Sequence, residues 1–437
     1  MSPVPSESPL DPTPRAFTPL TIAEFLLGHR PSILRLWSDR WSLLIGAILV
    51  LAGSLARNYD GHHLLREWHV LLHGFGASVA NAFLLYTLAR LAVAIASSKP
   101  GDESVRRPHF WRGYLSFLGV FWMTAPMAWL YGIPYEHLLE PLKAVEANLW
   151  TLAAVSFWRV LLMARVLSVA LDVPFWSVLF ITLLFGDALA LAALFTAPLP
   201  TIDFMGGLRH PPETQLIAST AFAAGFWALV TLPVWVIAAL VGLRWLKPGQ
   251  RSLPAPARFP IPKAACGMAV VAVAGWLAAG LATQPSVGLK LDVENSVKAG
   301  RYDQAASILA AHHRGEFPPI WDLPPRNWDR SPNYREALAG MTRAVAVEGG
   351  PTWFADAYSQ KVWRELLRFR HGSEPSPAEA PLDAEVLPYD HPREDLLREI
   401  EFVLRFDTSI SDRRREWATA VRDLLKASPP SGSKPDL

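Results

Sequence analysis

Up to about residue 282 the chain alternates long unbroken apolar runs with short polar breaks, and then it changes character. The runs are Trp41 to Ala56, His69 to Ala96, Gly113 to Pro134, Leu149 to Leu171, Phe175 to Ala197, Leu216 to Trp245 and Ala264 to Ala282. A helix needs roughly 20 apolar residues to cross a hydrocarbon core, so this pattern predicts a polytopic transmembrane helical bundle of about seven spans over residues 41–282. Trp41, Trp68, Trp111, Tyr131, Trp150 and Trp245 stand near the ends of these runs, where amphipathic rings favour the membrane interface. From Thr283 onward apolar residues recur instead at helical spacing, as in Phe354, Tyr358, Val362 and Leu366, or Leu396, Leu397, Ile400, Val403 and Leu404. Such stripes predict helices burying one face, hence a small soluble α-helical domain over residues 283–427. The fold class is all-α.

Two flanking segments are read as disordered: the Pro/Ser-rich residues 1–20, and the tail 428–437. Residues 21–40 are expected as an amphipathic juxtamembrane helix region, in which a capping box from Thr21 to Glu24 opens a short helix that Gly28 ends, and Ile33, Leu34 and Trp37 beside Arg30, Arg35 and Arg40 form a lead-in at the interface. Pro318-Pro319, Pro324-Pro325 and the stretch Glu374 to Pro388 are read as loops.

Composition agrees with a membrane protein: 51% of residues are hydrophobic and the mean hydropathy is +0.20. The net charge of +2 and the scattered basic residues give no reason to expect a nucleic-acid partner. The partners expected are the lipid bilayer and other membrane or envelope proteins. The lone Cys266 excludes an internal disulfide and a cysteine-based zinc site. The first forty residues carry Pro, Ser and scattered charges, so no cleavable signal peptide is expected. Basic residues concentrate on one side of the spans, in Arg30–Arg40, Lys99–Arg112 and Arg244–Lys263. They are sparser on the other, at Arg57, Arg66, Lys143, Arg209, Lys290 and Lys298. The positive-inside rule then places the amino terminus in the cytoplasm, and seven spans place the carboxy-terminal domain outside.

The most informative polar residues lie inside the runs. Arg159 and Asp187 are equidistant from Val173 in the break Leu171-Asp172-Val173-Pro174, so a helical hairpin sets them at one depth. An unpaired charge in hydrocarbon costs from about 2.5 kcal/mol upward, and an intramembrane ion pair is expected. Arg165 is expected to reach for the interface, and Asn81 and Thr124 to bond between helices.

His62, His69 and His73 would share one face of a continuous helix and are candidate metal ligands, but no Cys or carboxylate has matching spacing and no metal or other cofactor is expected. His69-Val70-Leu71-Leu72-His73 lacks the glutamate an HExxH metalloprotease uses as base. Gly76-Ala77-Ser78 lacks the second glycine of a rhomboid serine motif and a later intramembrane histidine. No catalytic set emerges.

Gly300-Arg301-Tyr302-Asp303-Gln304-Ala305 resembles the turn and second-helix start of a tetratricopeptide repeat, with Gly300, Tyr302 and Ala305 as the candidate interaction motif. Tyr334-Arg335-Glu336-Ala337 repeats the Tyr-x-x-Ala spacing about one 34-residue period later. That resemblance implies a helical pair binding peptides or partner proteins. Leu55 to Gly61, following FLLGHRPSIL, resembles uncharacterised multi-pass bacterial membrane proteins, which implies a bacterial inner membrane and no activity. The function expected is a non-enzymatic scaffold or assembly factor anchoring a helical protein-interaction domain. The alternative is a transporter or channel-like component that uses the Arg159 and Asp187 pair.

Overall fold

The computed structural model describes residues 16–96, 110–196, 212–245, 259–319, 321–326, 334–348, 352–368, 393–406 and scattered positions from 415 to 426. The disordered segment expected at 1–20 lies mostly outside them, as do Glu374 to Pro388 and the tail. The chain is all-α: among the described residues seven helical stretches are long and apolar enough to cross a membrane, and further helices follow. It divides into two compact units. One comprises Met1–Ala197 with Thr220–Gln284, the other Pro198–Ser219 with Pro285–Leu437.

Residues 16–40 form two helices, parted at Gly28. Helix α1 (Pro19–Leu26) starts earlier than expected, because Pro19 takes a first-turn position and Thr18 caps in reciprocal hydrogen bonds with Thr21. Glu24 is left to accept from the Ser32 hydroxyl at 2.7 Å. Gly28 stops α1 with φ +77°: its N–H bonds the Phe25 carbonyl and the next N–H the Glu24 carbonyl, the double closure that favours glycine. Helix α2 (Arg30–Ser38) follows. Ile22, Phe25, Ile33, Leu36 and Trp37 are all buried in the bundle core. This segment is therefore an integral layer of the bundle. Helix α7 (Pro141–Leu171) holds it there, with the Trp158 indole N–H donating to the Leu26 carbonyl at 2.9 Å and Arg165 Nε–H to the Gly28 carbonyl at 3.5 Å.

Helix α3 (Trp41–Asn58) is the first candidate span and packs closely on the third. An added Cβ at Gly46 would lie 2.8 Å from the Trp122 Cβ and 3.1 Å from the Gly119 carbonyl. One heptad on, Gly53 meets Ala125 and Ala128. Small residues let backbones approach where lipid offers no hydrophobic driving force between helices.

That third stretch is interrupted. Helix α5 (Phe110–Trp122) gives way to a tighter 3-10 segment, Ala125–Gly132, and the short helix α6 (Tyr135–Leu138). Pro126 has no N–H to bond the Trp122 carbonyl, so the helical ladder ends there. Thr124 turns inward, its hydroxyl donating to the Phe121 carbonyl at 2.7 Å, so it closes its own turn instead of bonding a neighbouring helix.

Helix α4 (His69–Ala96) packs on α3 and α5; α7 and α8 (Phe175–Thr196) are adjacent, joined through Asp172 in the left-handed region at φ 49°. Helices α9 (Pro212–Trp245) and α10 (Lys263–Lys298) each run unbroken through an internal proline, Pro233 and Pro285.

In the second unit, α11 (Tyr302–Ala311), α12 (Tyr334–Glu348), α13 (Thr352–Arg368) and α14 (Arg393–Phe406) share a core with the end of α10. Val293, Val297, Leu309, Met341, Phe354, Tyr358 and Val403 are buried in it.

Candidate functional site

Trp353, Ala357, Gln360 and Lys361 occupy positions i, i+4, i+7 and i+8 of α13, and so share one helix face. The loop Phe317 to Arg326 crosses this face. It is tied down by two side chains of α13 one turn apart. The buried Tyr358 hydroxyl donates to the Pro324 carbonyl at 2.6 Å, and burial pushes its pKa well up. Lys361, only 6% exposed, donates to the Leu323 and Pro325 carbonyls at 2.6 and 3.1 Å and faces Asp322 at 2.8 Å. A buried ammonium is tolerated because it is paired and hydrogen-bonded. On the far side of the loop Glu294 of α10 accepts the Trp321 indole N–H at 3.1 Å and pairs with Arg326. Phe317 stacks on Trp321 at 5.0 Å and meets Trp353 at 5.6 Å.

Between loop and helix lies a cleft of about 300 Å³. Trp321 and Trp353 supply its aromatic lining, and Ala357 leaves room between them. Lys361, Asp322 and Gln360 add polar groups, and Arg314 contributes a second cation. Arg314 donates to the Pro318 and Pro319 carbonyls at 2.7 and 2.5 Å and lies 5.8 Å from the Trp353 ring centre. Among the described residues no carboxylate pairs with it, and burial draws its pKa below the usual arginine range. The Trp353 indole nitrogen is buried and has no hydrogen-bond partner among the described residues.

The cleft itself is not visible in the sequence pattern, which places the two Pro-Pro steps in loops and Phe354, Tyr358 and Val362 in a stripe. The overlooked signal was Lys361 beside Val362, a cation on an otherwise apolar face.

Arg159 and Asp187 are not brought together. Arg159 faces the interrupted third span, its guanidinium 4.6 Å from the Phe121 ring centre. Asp187 faces α9, where the Thr231 hydroxyl donates to it at 2.6 Å. The expected pair needed one rotation of the hairpin. The packing of α7 on the third stretch and of α8 on α4 selects another. Each charge is half-buried, and among the described residues neither has an opposite charge in contact.

The three histidines also separate. His62 stays in the turn after α3, 3.4 Å from Glu67, whereas His69 and His73 stack edge to face at 5.7 Å on α4. Among the described residues no group of three potential metal-holding side chains occurs.

Gly300 ends α10 with φ +71°; its N–H bonds the Val297 carbonyl and that of Arg301 the Ser296 carbonyl, the same closure as at Gly28. Tyr302 opens α11 and lays its ring on Gly340 of α12, and Ala305 is wholly buried. The motif thus serves helix packing. Among the described residues it builds no second repeat: α11 packs mainly on α12, and residues 317–319 and 321–326 ahead of Tyr334 contain no helix. Comparisons with protein families, curated proteins and solved structures find no match for this chain.

Proposed function

We propose that the chain is a membrane-anchored scaffold or assembly factor of a bacterial inner membrane, and that its carboxy-terminal helical domain engages a partner protein through the Trp321/Trp353 cleft. The observation that carries this reading is the cleft itself. Aromatic walls, an arginine with no acidic partner among the described residues and a small-residue gap are features at which interface energy concentrates. No nucleophile with a base and no metal-holding group accompanies it among the described residues, so binding fits these side chains better than chemistry. The basic residues flanking the spans favour a cytoplasmic amino terminus and an extracytoplasmic domain. The test is a photoreactive phenylalanine at the exposed Gln360, activated in native membranes. Discrete adducts with one or a few proteins, lost when Ala357→Leu fills the cleft, support the reading; adducts no different from those at the exposed Ser307 contradict it.

A second reading, transport, is favoured by half-buried Arg159 beside an interrupted span and by Asp187 facing α9, since discontinuous helices and intramembrane charges mark substrate paths. Its test is aqueous access. An Asp187→Cys variant lacking Cys266 should react with a small charged thiol reagent if a path exists, and stay unreacted if the bundle is dry there.

A further inference from the structure

We infer that the ligand of the α13 cleft is an extended acidic peptide segment of the partner, with one carboxylate on Arg314 and an adjacent apolar side chain seated over Ala357 between Trp321 and Trp353. The inference rests on the interaction reading above and specifies its partner.

Three observations select that chemistry. The first is charge. Lys361 is neutralised by Asp322 at 2.8 Å, but Arg314 has no acidic partner among the described residues, so the cleft holds an unmatched positive charge. Two of the five guanidinium N–H donors are taken by the Pro318 and Pro319 carbonyls, which fix the plane of the group and leave others for a ligand oxygen. A preoriented guanidinium favours carboxylate, because its donors match the two oxygens and it is less strongly hydrated than an ammonium.

The second is the buried indole N–H of Trp353, which has no partner among the described residues. Its ring lies 5.8 Å from Arg314 and the residue lines the cleft, so a rotation of the ring would present this donor to a peptide carbonyl next to the bound carboxylate. The third is shape. Ala357 is flanked along the helix by Trp353 and Gln360, so a side chain entering there finds an aromatic wall on one side and an amide on the other. A cleft of about 300 Å³ holds two or three residues rather than a folded surface, and an extended segment presents its side chains in that way.

Full-length protein in detergent micelles would be titrated, by fluorescence anisotropy, with a labelled hexapeptide of alternating glutamate and leucine. The same peptide with glutamine for glutamate, and one with serine for leucine, serve as comparisons. Saturable binding to the first is expected, at least tenfold tighter than to either comparison and weaker as salt is raised. The Arg314→Gln protein should bind the glutamate and glutamine peptides alike, while Arg314→Lys keeps a preference for glutamate. Ala357→Leu should abolish binding of all three peptides, with an unchanged circular dichroism spectrum showing that the fold is kept. Equal affinity of the wild type for glutamate and glutamine peptides would overturn the inference, as would undiminished discrimination in Arg314→Gln. Competition by free acetate as strong as by peptide would also overturn it, since the site would then be one for small carboxylates. If these titrations fail while the Gln360 adducts remain sensitive to Ala357→Leu, only the acidic-peptide assignment falls. If both fail, the interaction reading falls with it.

Discussion

Replacing Lys361 with methionine keeps the apolar stem and removes one charge from the place where the Pro-rich loop meets α13. In the native fold that ammonium serves three acceptors, the carbonyls of Leu323 and Pro325 and the Asp322 carboxylate. Removing one partner of a buried pair costs about 3–5 kcal/mol, because the groups left behind stay desolvated. Here Asp322 keeps 33% of its side chain exposed and can rehydrate, which favours the lower end, about 3 kcal/mol. Two carbonyls remain beneath the loop with no replacement donor, consistent with that figure at about 1–3 kcal/mol each before relaxation. The chain has two compact units, so one global unfolding transition is a poor measure. Amide hydrogen exchange resolves the region directly. Amides of Trp321, Asp322, Leu323 and Arg326, and those of α13 whose opening requires the loop to lift, should exchange about 100-fold faster at this cost. Helices of the membrane unit should be unaffected, and Gln360→Met, on the exposed neighbour, should change exchange less than threefold. Lys361→Met exchanging within threefold of wild type would refute the reasoning, because the ammonium would then not be what fastens the loop.

Three further outcomes follow from the packing. Gly46→Ala would set a Cβ 2.8 Å from the Trp122 Cβ and should destabilise the membrane bundle by about 1–3 kcal/mol in detergent-induced unfolding; an unchanged midpoint would mean that α3 and α5 do not approach so closely. Gly300→Ala meets no neighbouring atom but keeps φ at +71°, so it should cost about 1–2 kcal/mol of the second unit's stability, whereas Gly315→Ala, equally open and without positive φ, should be close to neutral. A double-mutant cycle of Arg159→Leu and Asp187→Leu should be additive within about 0.5 kcal/mol, as expected of residues that share no contact; a larger recovery in the double variant would show that the two charges interact after all.

The fold was legible where one physical signal dominated. Apolar runs of bilayer length stand out against Pro, Gly and charge, and the spans at Trp41, His69 and Phe175 begin where the runs begin. Boundaries drifted where helices extend past hydrocarbon. Helix α7 starts at Pro141, ahead of Leu149, and α10 continues through the amphipathic stretch to Lys298, because a helix can change environment without changing its backbone. Proline gave an ambiguous signal: Pro126 ends α5, while Pro233 and Pro285 sit inside continuous helices.

Side-chain partners were the least legible. Depth along a hairpin can be counted from sequence, but the rotation of each helix about its axis is set by packing, and it turned Arg159 toward Phe121 and Asp187 toward Thr231. The cleft needed contacts between residues far apart in the chain, Glu294 with Trp321 and Tyr358 with Pro324, which no periodicity reports. Gly300 was readable as a turn residue, yet the fit of Tyr302 on Gly340 depends on α12 being folded beside it.

Side-specific labelling of single cysteines tests the membrane architecture most directly. In a Cys266→Ser background, cysteines would be placed at the exposed Leu27 and at the exposed Ser307, and sealed inner-membrane vesicles of known orientation treated with an impermeant thiol reagent. Seven crossings require Leu27→Cys and Ser307→Cys to react from opposite faces, and the charge bias of the flanking segments predicts that the first reacts from the cytoplasm. Reaction of both from the same face would contradict seven spans and place the α13 cleft in the wrong compartment for an extracytoplasmic partner.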